Sequence, residues 1–265
     1  MAGLGFAATA PFGADVLERL ARRHDIAFCL TRPDRPAGRG LKLDPPPAKV
    51  TAQRLGIPVL QPEQLDLAVE LPAETIVTCA FGAIVPPTLL DRHLWLNVHP
   101  SLLPRWRGAA PVERAIMVGD SETGVTIIRL TDELDAGPVA AQRTFAIERE
   151  DDAGAVYDQA AALAVGMLDD VLVAPAFRPQ PSHGRTYAEK LTSADRELDP
   201  AAPAEENARK IRALSPHIGA RMDIDGRQLT IWKARVDENQ LVPEVVQPDG
   251  RRQMTYEDYL RGLRP

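Results

Sequence analysis

The 265-residue sequence predicts a doubly wound α/β sheet followed by a smaller, β-containing domain. Three observations support this fold class: strand-like and helix-like segments alternate as far as Val173, the proline-rich stretch Pro175–His183 ends that alternation, and hairpin signals follow it. Strands that alternate with helices are typical of parallel β-α-β units. We therefore expect a first domain at residues 1–174, a linker at 175–185 and a second domain at 186–265.

The elements of the first domain follow from hydrophobic periodicity and from the turn residues between them. Short apolar runs indicate buried strands, and Val16, Leu17 and Leu20 have the one-faced spacing of a helix. The stretch Arg32–Pro47 is rich in proline and glycine, which predicts a loop. In chain order, the predicted elements are a strand at Leu4–Ala8, a helix at Ala14–Arg23, a strand at Ile26–Thr31, a helix at Lys49–Leu55, strands at Ile57–Leu60, Thr75–Ala80 and Leu94–Val98, a helix at Pro111–Val118, strands at Gly124–Leu130 and Val139–Ile147, and a helix at Asp152–Val173.

The second domain is predicted to contain one helix, two hairpins and a terminal helix. The helix lies at Pro203–Ala213, and the region Ala220–Val236 alternates around Asp225-Gly226, which is a strong signal for a type I′ hairpin. A second hairpin is predicted at Gln247–Arg251. A Thr-x-x-Asp sequence from Thr255 resembles a capping box and predicts the start of the terminal helix.

Composition and cysteine usage exclude several classes of protein. With 45% hydrophobic and 26% charged residues, the chain is typical of a folded globular protein and not of a disordered or fibrous one. No apolar run reaches about 18 residues, so we expect neither a signal peptide nor a membrane span. The cysteines Cys29 and Cys79 lie singly in separate apolar stretches, which argues against a disulfide framework and is typical of the reducing cytoplasm.

The sequence does not carry the usual motifs for nucleotide cofactors or metal ions. The two Gly-x-Gly patterns, at Gly3–Gly5 and Gly38–Gly40, lack the third glycine and the following helix of a dinucleotide fingerprint. The five histidines show no paired spacing with cysteines or carboxylates, so we expect no metal site. The net charge of −6 argues against general affinity for nucleic acid.

Three polar residues suit acyl transfer at the end of one predicted strand. Asn97 and His99 are two positions apart, so their side chains point to the same face of the strand. Pro100 ends the strand and leaves His99 at its carboxyl end, where open α/β sheets bind ligands. With Asp135 from an Asp-Ala-Gly turn, the amide can donate to an oxyanion, the imidazole can tune charge and the carboxylate can move a proton. Since Ser101 follows a proline outside any Gly-x-Ser-x-Gly elbow, we expect no serine nucleophile.

The segment around these residues resembles the signature of 10-formyltetrahydrofolate-dependent formyltransferases. The matching stretches are Asn97–Gly108 (NVHPSLLPRWRG), Thr123–Thr126 (TGVT) and Leu134–Gly137 (LDAG). The resemblance implies a Rossmann-like formyltransferase domain and direct formyl transfer without a covalent enzyme intermediate. It also implies that the amide, imidazole and carboxylate described above form the catalytic set.

The same resemblance implies a folate site beside that set, with 10-formyltetrahydrofolate as co-substrate and no metal. Main-chain groups would hydrogen-bond the pterin, and Ile84, Val85 and Leu102 would cover its faces. Taken without the resemblance, Phe81–Val85 is better described as a strand-end turn that binds no ligand. The implied folate-binding residues are Phe81, Gly82, Ala83, Ile84, Val85, Ser101, Leu102, Leu103, Pro104, Asp132 and Leu134.

Further segments resemble the family members that formylate methionyl-initiator tRNA. These segments are Arg32–Gly40 (RPDRPAGRG), Arg105–Pro111 (RWRGAAP), Thr186–Leu191 (TYAEKL) and Trp232–Ala234 (WKA). They imply a cytoplasmic, monomeric transferase of translation initiation, with Arg35, Arg39 and Lys42 contacting the tRNA backbone in a salt-dependent manner. Judged by charge alone, the basic segment could equally be a solvated loop without a ligand. Trp106 is either a neighbour of the methionyl group or a residue packed on the sheet.

The sequence departs from the family pattern in three places. Ala8-Thr9 stands where Gly-Thr is usual after the first strand. Asp44 adds an acid to the loop that is expected to contact RNA, and this loop also carries one basic residue fewer than expected. The C-terminal domain should be a shortened, OB-like β-barrel, because only Arg235–Val246 separates Trp232–Ala234 from the closing segment Gln247–Leu260. We expect this shortening to weaken tRNA binding and not formyl transfer.

Other functions remain open to the sequence. An enzyme that formylates an amino-sugar nucleotide would use the same three side chains but would not need the arginine-rich loop. A hydrolase that releases formate would admit water in place of the amine. A non-catalytic folate- or RNA-binding protein would have no use for the three side chains together. Formylation of glycinamide ribonucleotide fits less well, because that class of enzyme has a single domain.

Overall fold

The computed structural model describes residues 3–37 and 42–263, which form two compact units. The first unit comprises the chain up to residue 107 together with 124–144 and 158–186. The second comprises 108–123, 145–157 and the chain from 187 onwards. The two units therefore interleave along the chain, and the domain boundaries at 174 and 186 stay a prediction.

Most described elements lie within a few residues of their predicted positions. As far as residue 173 they are β1 (Leu4–Ala8), α1 (Pro11–Leu20), β2 (Ile26–Leu30), β3 (Arg35–Ala37), β4 (Lys42–Asp44), α2 (Pro47–Arg54), β5 (Val59–Leu60), β6 (Thr75–Cys79), α3 (Pro87–Leu90), β7 (Leu94–His99), β8 (Arg107–Gly108), α4 (Pro111–Val118), β9 (Glu122–Arg129), β10 (Val139–Ala146) and α5 (Ala153–Val173). They continue with β11 (Tyr187–Ala188), a 3-10 turn (Ala194–Arg196), α6 (Ala204–Leu214), β12 (Ala220–Ile224), β13 (Arg227–Asp237), β14 (Gln240–Pro248), β15 (Met254–Thr255) and α7 (Tyr256–Arg261).

Seven strands form one sheet in the order β10-β9-β7-β6-β1-β2-β5. β1 pairs in parallel with both β2 and β6, and β7 and β5 extend the parallel sheet on either side. This order confirms the predicted doubly wound α/β sheet. β9 runs antiparallel to β7, with His99 opposite Thr126. Of the residues between β7 and β9, 108–121 belong to the second unit. A parallel neighbour requires a crossover connection, whereas an antiparallel one does not.

A cluster of aromatic and aliphatic side chains fills the core beside β7. Phe28, Phe81, Leu89 and Trp95 are all buried in it. The indole Nε1 of Trp95 donates to the carbonyl of Leu89 at 3.0 Å, so the polar atom of this side chain has a partner. Burial of each such side chain stabilises the fold by about 1.5–3 kcal/mol. The cluster therefore holds β7 and the turn after β6 firmly in place.

The sequence argued against a disulfide framework and predicted one long helix near residue 160. Cys29 and Cys79 are free and buried, and burial raises the pKa of the Cys29 thiol to about 12. The helix α5 is rich in alanine and buries Ala160, Ala161 and Ala164. In the described part of the chain, no helix combines the length and apolar character that crossing a lipid bilayer requires.

The second unit contains a four-stranded antiparallel sheet in the order β12-β13-β14-β15. Asp225 and Gly226 have positive φ angles of 53° and 76°, as the predicted type I′ turn requires. Glu238 and Asn239, with φ angles of 46° and 62°, make a second tight turn that leads into β14. No strand was predicted directly after this turn, because glutamate at such a turn is not a recognised signal. Thr255 Oγ1 accepts from the Asp258 amide at 3.1 Å, which confirms the predicted helix cap.

The loop predicted at Arg32–Pro47 contains a short antiparallel hairpin. β3 pairs with β4, and Arg35 lies opposite Asp44. Each strand has three residues, and Pro36 is the middle residue of the first. A pattern of period two cannot be recognised over three residues, which is why the sequence predicted an unstructured loop here.

Candidate active site

Three side chains predicted to be catalytic meet at the carboxyl end of β7. We call Asn97, His99 and Asp135 the strand-end cluster. Asn97 Nδ2 donates to Asp135 Oδ1 at 3.2 Å, and His99 Nδ1 lies 3.7 Å from Asp135 Oδ2. Asp135 reaches the other two because β9 runs back along β7 and the following loop returns to the strand end. The side chains of His99 and Asp135 are only 5% and 10% exposed, so the cluster is almost enclosed by protein.

The hydrogen bonds of His99 fix which edge of its ring faces the rest of the cluster. Its Nε2 lies 2.8 Å from the carbonyl oxygen of Trp106. A carbonyl can only accept, so Nε2 carries a proton and donates it. Nδ1 therefore faces Asp135, and the carboxylate there stabilises the ring when both nitrogens are protonated. The Nδ1 edge is the edge that can serve a reacting oxygen.

Backbone strain is concentrated around the strand-end cluster. In the described part of the first unit, Ala80, Trp106 and Asp135 are the non-glycine residues with positive φ, at 47°, 62° and 48°. Ala80 follows the neighbouring strand β6, Trp106 accepts from His99, and Asp135 belongs to the cluster. Such conformations cost about 1–3 kcal/mol each and persist where the surroundings over-determine them. Their location is typical of a functional site.

Thr126 and Gln142 hold the loop Ser101–Pro104. Thr126 ends the TGVT stretch quoted above, but neither residue was predicted to have a role in the site. Thr126 Oγ1 donates to the Ser101 carbonyl at 2.6 Å and accepts from the Leu103 amide at 3.1 Å. Gln142 Nε2 donates to the Leu103 carbonyl at 2.8 Å. Thr126 is fully buried between Val125 and Ile127 in β9, and a polar residue within that apolar run could have drawn attention to it. The Ser101 hydroxyl is also buried and donates to the Arg105 carbonyl at 2.7 Å, in agreement with a structural serine.

The predicted folate-binding residues differ widely in exposure. Phe81 and Val85 point into the core, so they can offer a ligand only main-chain groups, and the Phe81 carbonyl already accepts from Thr9 Oγ1 at 2.7 Å. Ile84 and Leu134 are instead 90% and 63% exposed. Among the others, Gly82, Ala83 and Asp132 are exposed, Leu102 is half-buried, and Leu103 and Pro104 are buried. In the Ala8-Thr9 pair, only the alanine departs from the family pattern. The hydrogen bond of Thr9 to the Phe81 carbonyl anchors the turn after β6.

A cavity of about 700 Å³ lies in the first unit, and it includes Asp132 of the predicted folate residues. Its walls come from the stretch before and into β7 and from the end of β9. The lining residues are Pro87, Leu90, Asp91, Arg92, His93, Leu94, Trp95, Arg129, Leu130, Thr131 and Asp132. Within residues 3–37 and 42–263, no group of three or more His, Cys, Asp or Glu side chains is arranged to hold a metal ion.

Arg107 and Gln180 also contact the loop that carries Asp135, and neither was predicted from the sequence as a site residue. Arg107 is 6% exposed and donates to Glu133 Oε1 at 3.0 Å and to Gln180 Oε1 at 2.7 Å. Gln180 Nε2 donates to the main-chain carbonyls of Asp135 and Gly137. Arg107 belongs to the quoted RWRG motif, which could have singled it out. No local signal marks Gln180, because it lies in the stretch predicted as a linker.

Of the predicted tRNA contacts, the structure describes the side chain of Arg35, which is exposed on β3. Arg39 lies outside the described residues, as does the side chain of Lys42. We call Arg32–Lys49 the basic loop. At its far end, Lys49 Nζ contacts both carboxylate oxygens of Asp34, at 2.8 and 2.7 Å.

Asp34 has a second partner, Gln61, which also contacts the start of the basic loop. Gln61 Nε2 donates to Asp34 Oδ1 and to the Arg32 carbonyl, each at 2.8 Å. The hydrogen bond from Gln61 and the ammonium of Lys49 lower the pKa of the Asp34 carboxyl. The charge of Lys49, which the sequence analysis counted among the basic residues, is therefore compensated within the protein.

Comparison with known proteins extends these observations. A family model described as formyl transferase matches residues 6–172, and one described as formyl transferase, C-terminal domain, matches residues 190–244. The methionyl-tRNA formyltransferase of Chromobacterium violaceum is 42% identical, and the match covers 91% of this chain and 83% of that relative. The enzyme of the same name from Xanthomonas axonopodis pv. citri is 38% identical, and the match covers 98% of this chain and 97% of that relative.

Solved structures with the same fold include enzymes with different substrates. The methionyl-tRNA formyltransferase from Clostridium thermocellum superposes with a TM-score of 0.68 at 15% identity and covers 94% of this chain and 99% of its own. An N-formyltransferase from Helicobacter canadensis, in complex with folinic acid and dTDP-3-aminofucose, also gives 0.68, at 18% identity and with coverage of 96% and 99%. These likenesses establish the fold and do not distinguish between the two substrates.

Proposed function

The chain belongs to the formyl transferase family, and from this premise we propose that it transfers the formyl group of 10-formyltetrahydrofolate to the amino group of methionyl-initiator tRNA. The choice of tRNA over an amino sugar rests on sequence identity, since relatives named methionyl-tRNA formyltransferase are 38–42% identical over most of both chains. The observation that carries the chemistry is the meeting of an amide, an imidazole and a carboxylate in the strand-end cluster.

The proposed reaction is a direct transfer between two nitrogens. The neutral amine of the methionyl ester attacks the formyl carbon, and a tetrahedral intermediate with a negative oxygen forms. Its collapse breaks the bond between that carbon and N10 of the folate, and N10 takes up a proton. An ordinary α-amino group titrates at about 7.7–8.0, so a substantial fraction of the amine is neutral near physiological pH.

Asn97 and His99 would stabilise the negative oxygen. The Asn97 amide has two N–H groups, of which one donates to Asp135 and the other can donate to substrate. His99 would donate through Nδ1, because its Nε2 already donates to Trp106. Removal of one donor of this kind typically costs about 3–4 kcal/mol of transition-state stabilisation.

Asp135 would have two tasks in the same reaction. Its carboxylate lies opposite the Nδ1 edge of His99 and so stabilises the positively charged ring. It would also accept the proton that the attacking amine loses, through a bridging water molecule. Enclosure by protein strengthens both effects, because electrostatic interactions are larger away from bulk water.

The folate would lie beside the cluster, between the turn after β6 and the loop after β9. Exposed Ile84 and Leu134 offer apolar cover for a flat ring, whereas the buried Phe81 and Val85 would contribute through their main chain. The loop at Ser101–Pro104, fixed by Thr126, would support the third side. The other residues predicted to bind folate are part of the same proposal.

The tRNA would be held through the basic loop, with Arg35, Arg39 and Lys42 facing phosphates. Arg35 is exposed and suited to such contacts, and the pairing of Lys49 with Asp34 gives the loop a fixed base. The division into a catalytic domain at 1–174, a linker at 175–185 and a shortened, OB-like domain at 186–265 belongs to the same proposal. We also propose that the enzyme is a monomer, acts in the cytoplasm and uses no metal.

A single assay tests this proposal against its alternatives. The purified chain is incubated with 10-formyltetrahydrofolate and, in separate reactions, with charged initiator tRNA, an amino-sugar nucleotide, or buffer alone. Formyl-methionyl-tRNA as the product supports the proposal. Formyl on the sugar alone would overturn the substrate, formate released in buffer alone would indicate a hydrolase, and no product in any reaction would indicate a binding protein.

A further inference from the structure

The stretch Pro175–His183 contacts the loop that carries Asp135, although its sequence is typical of a linker. Arg178 and Val139 form an isolated antiparallel bridge, with reciprocal main-chain hydrogen bonds of 2.7 and 3.0 Å. The guanidinium of Arg129 lies 5.5 Å from the ring centroid of Phe177. The stretch therefore follows the start of β10, and Gln180 comes within reach of the turn that precedes this strand.

Gln180 makes an unusually complete set of contacts for one amide. Its Nε2 donates to the Asp135 carbonyl at 2.7 Å and to the Gly137 carbonyl at 2.9 Å. Its Oε1 accepts from Arg107 Nη2 at 2.7 Å and from Arg107 Nε at 3.2 Å. Both N–H donors and both lone pairs of the amide are thus engaged.

The contacts of Arg107 determine how the Gln180 amide is oriented. A guanidinium can only donate, so it holds Oε1 on its own side and turns Nε2 toward the two carbonyls. Arg107 is almost fully buried and is held in turn by Glu133 Oε1 at 3.0 Å. Glu133 lies two residues before Asp135. The loop is therefore gripped on both sides of the catalytic carboxylate.

Asp135 needs such support because its backbone is strained. Its φ of 48° lies in the left-handed region, which residues with a side chain adopt uncommonly, although aspartate does so more often than most. The turn also passes close to β9, since a Cβ at Gly137 would overlap the carbonyl oxygen of Arg129. A loop with such a conformation would relax without a partner for its carbonyls, and the Asp135 carboxylate would then leave Asn97 and His99.

We propose that Gln180 is a positioning residue that holds Asp135 in its catalytic conformation. The inference rests on the proposed formyl transfer, because it assigns Asp135 a role in that reaction. Gln180 itself touches neither the carboxylate nor the other two members of the strand-end cluster by any contact described above. Its effect is to fix the main chain from which the carboxylate projects, and a displacement of about 1 Å at such a group can cost about 100-fold in rate.

The variant Gln180→Glu separates this role from simple packing. Glutamate has nearly the same shape and still accepts from Arg107, but it has no N–H to donate and directs a carboxylate oxygen at two carbonyl oxygens. Gln180→Leu removes both sets of contacts, and His183→Ala, an exposed change in the same stretch, serves as control. We expect kcat for methionyl-tRNA formylation to fall about 10–100-fold in both Gln180 variants, with KM for tRNA changed less than about 3-fold.

Hydrogen exchange gives a readout that does not depend on activity. Peptides that cover residues 131–138 should exchange faster in Gln180→Glu than in the wild type, whereas peptides from α1 should not change. Wild-type kcat and unchanged exchange in Gln180→Glu would overturn the inference. If the wild type itself forms no formyl-methionyl-tRNA, the proposed function fails, and the exchange experiment still decides whether Gln180 holds the loop.

Discussion

The strand-end cluster and the basic loop use polar residues in opposite ways. In the cluster, Asp135 lies next to both Asn97 and His99; His99 and Asp135 are nearly hidden from solvent, and Asn97 is half-buried. In the basic loop, Arg35 projects from a hairpin of three-residue strands, and the pair of Lys49 with Asp34 lies at its base. Stabilisation of a reacting oxygen requires donors in a fixed position, whereas attraction of phosphates requires accessible charge. The difference between the regions therefore predicts different kinetic effects of mutation.

The largest effect is expected from His99→Ala. Loss of the imidazole removes a donor to the oxyanion and the partner of the Trp106 carbonyl, so kcat should fall by about 1,000-fold. Single-turnover formylation measures the loss, and circular dichroism should show an unchanged fold. His183→Ala is the matched control on an exposed histidine. Turnover near that of the wild type in His99→Ala would refute the role given to the cluster.

Arg35→Ala should instead change binding. The loss of one phosphate contact should raise KM for tRNA by about 3- to 10-fold and reduce the slope of log affinity against log salt by about 1, with kcat nearly constant. Arg22→Ala, in the turn after α1 and paired with Glu18 of that helix, provides a control for the loss of one surface charge. A fall in kcat with unchanged KM would show that the two regions are not functionally separate.

Lys49→Met tests whether the base of the basic loop acts through charge or through structure. Because Asp34 compensates its charge, we expect KM for tRNA to rise by only about 2- to 3-fold, from a less fixed hairpin, with the salt slope unchanged. Titration of tRNA binding at several salt concentrations measures both quantities. A decrease in the slope as large as that of Arg35→Ala would mean that Lys49 contacts the RNA directly.

The smallest effect on activity is expected from Asp195→Asn, which lies outside both regions. The hydrogen bond from the Arg114 guanidinium lowers the pKa of this carboxyl to about 2. A lowered pKa stabilises the fold above the unfolded value of about 3.9, and this contribution disappears as pH falls through about 2. Urea unfolding should show a loss of about 1–2 kcal/mol at pH 7 that shrinks between pH 4 and pH 2.

Formylation kinetics of Asp195→Asn complete that comparison. Unchanged kcat and KM at neutral pH would show that a moderate loss of stability does not reproduce the effects expected in either region. A marked loss of kcat would instead make stability, and not local chemistry, an explanation for the other variants. A difference in stability that grows toward pH 2 would contradict the lowered pKa of Asp195.

The sequence predicted the site better where the geometry depends only on residues that are neighbours in the sequence. The shared face of Asn97 and His99 follows from a period of two within one strand, and Pro100 marks where that strand ends. The basic loop was recognised by composition, but its hairpin was not, because three-residue strands show no measurable period. The pairing of Lys49 with Asp34 was missed as well, since charge counting does not reveal which side chains face each other.

By itself, the sequence determined the alternation of strands and helices, the doubly wound sheet, and the strand end at which Asn97 and His99 lie. The sequence also predicted Asp135 as the third member of the set, through its Asp-Ala-Gly turn and the family resemblance. Only the tertiary structure decided how Asp135, 38 positions from Asn97, reaches the other two, and that Gln180, 45 positions beyond Asp135, contacts its main chain. The physical reason is that hydrophobic periodicity specifies the faces of single elements. Contacts between distant residues depend on strand order and direction, such as the antiparallel course of β9 along β7, and these are set when the whole sheet assembles.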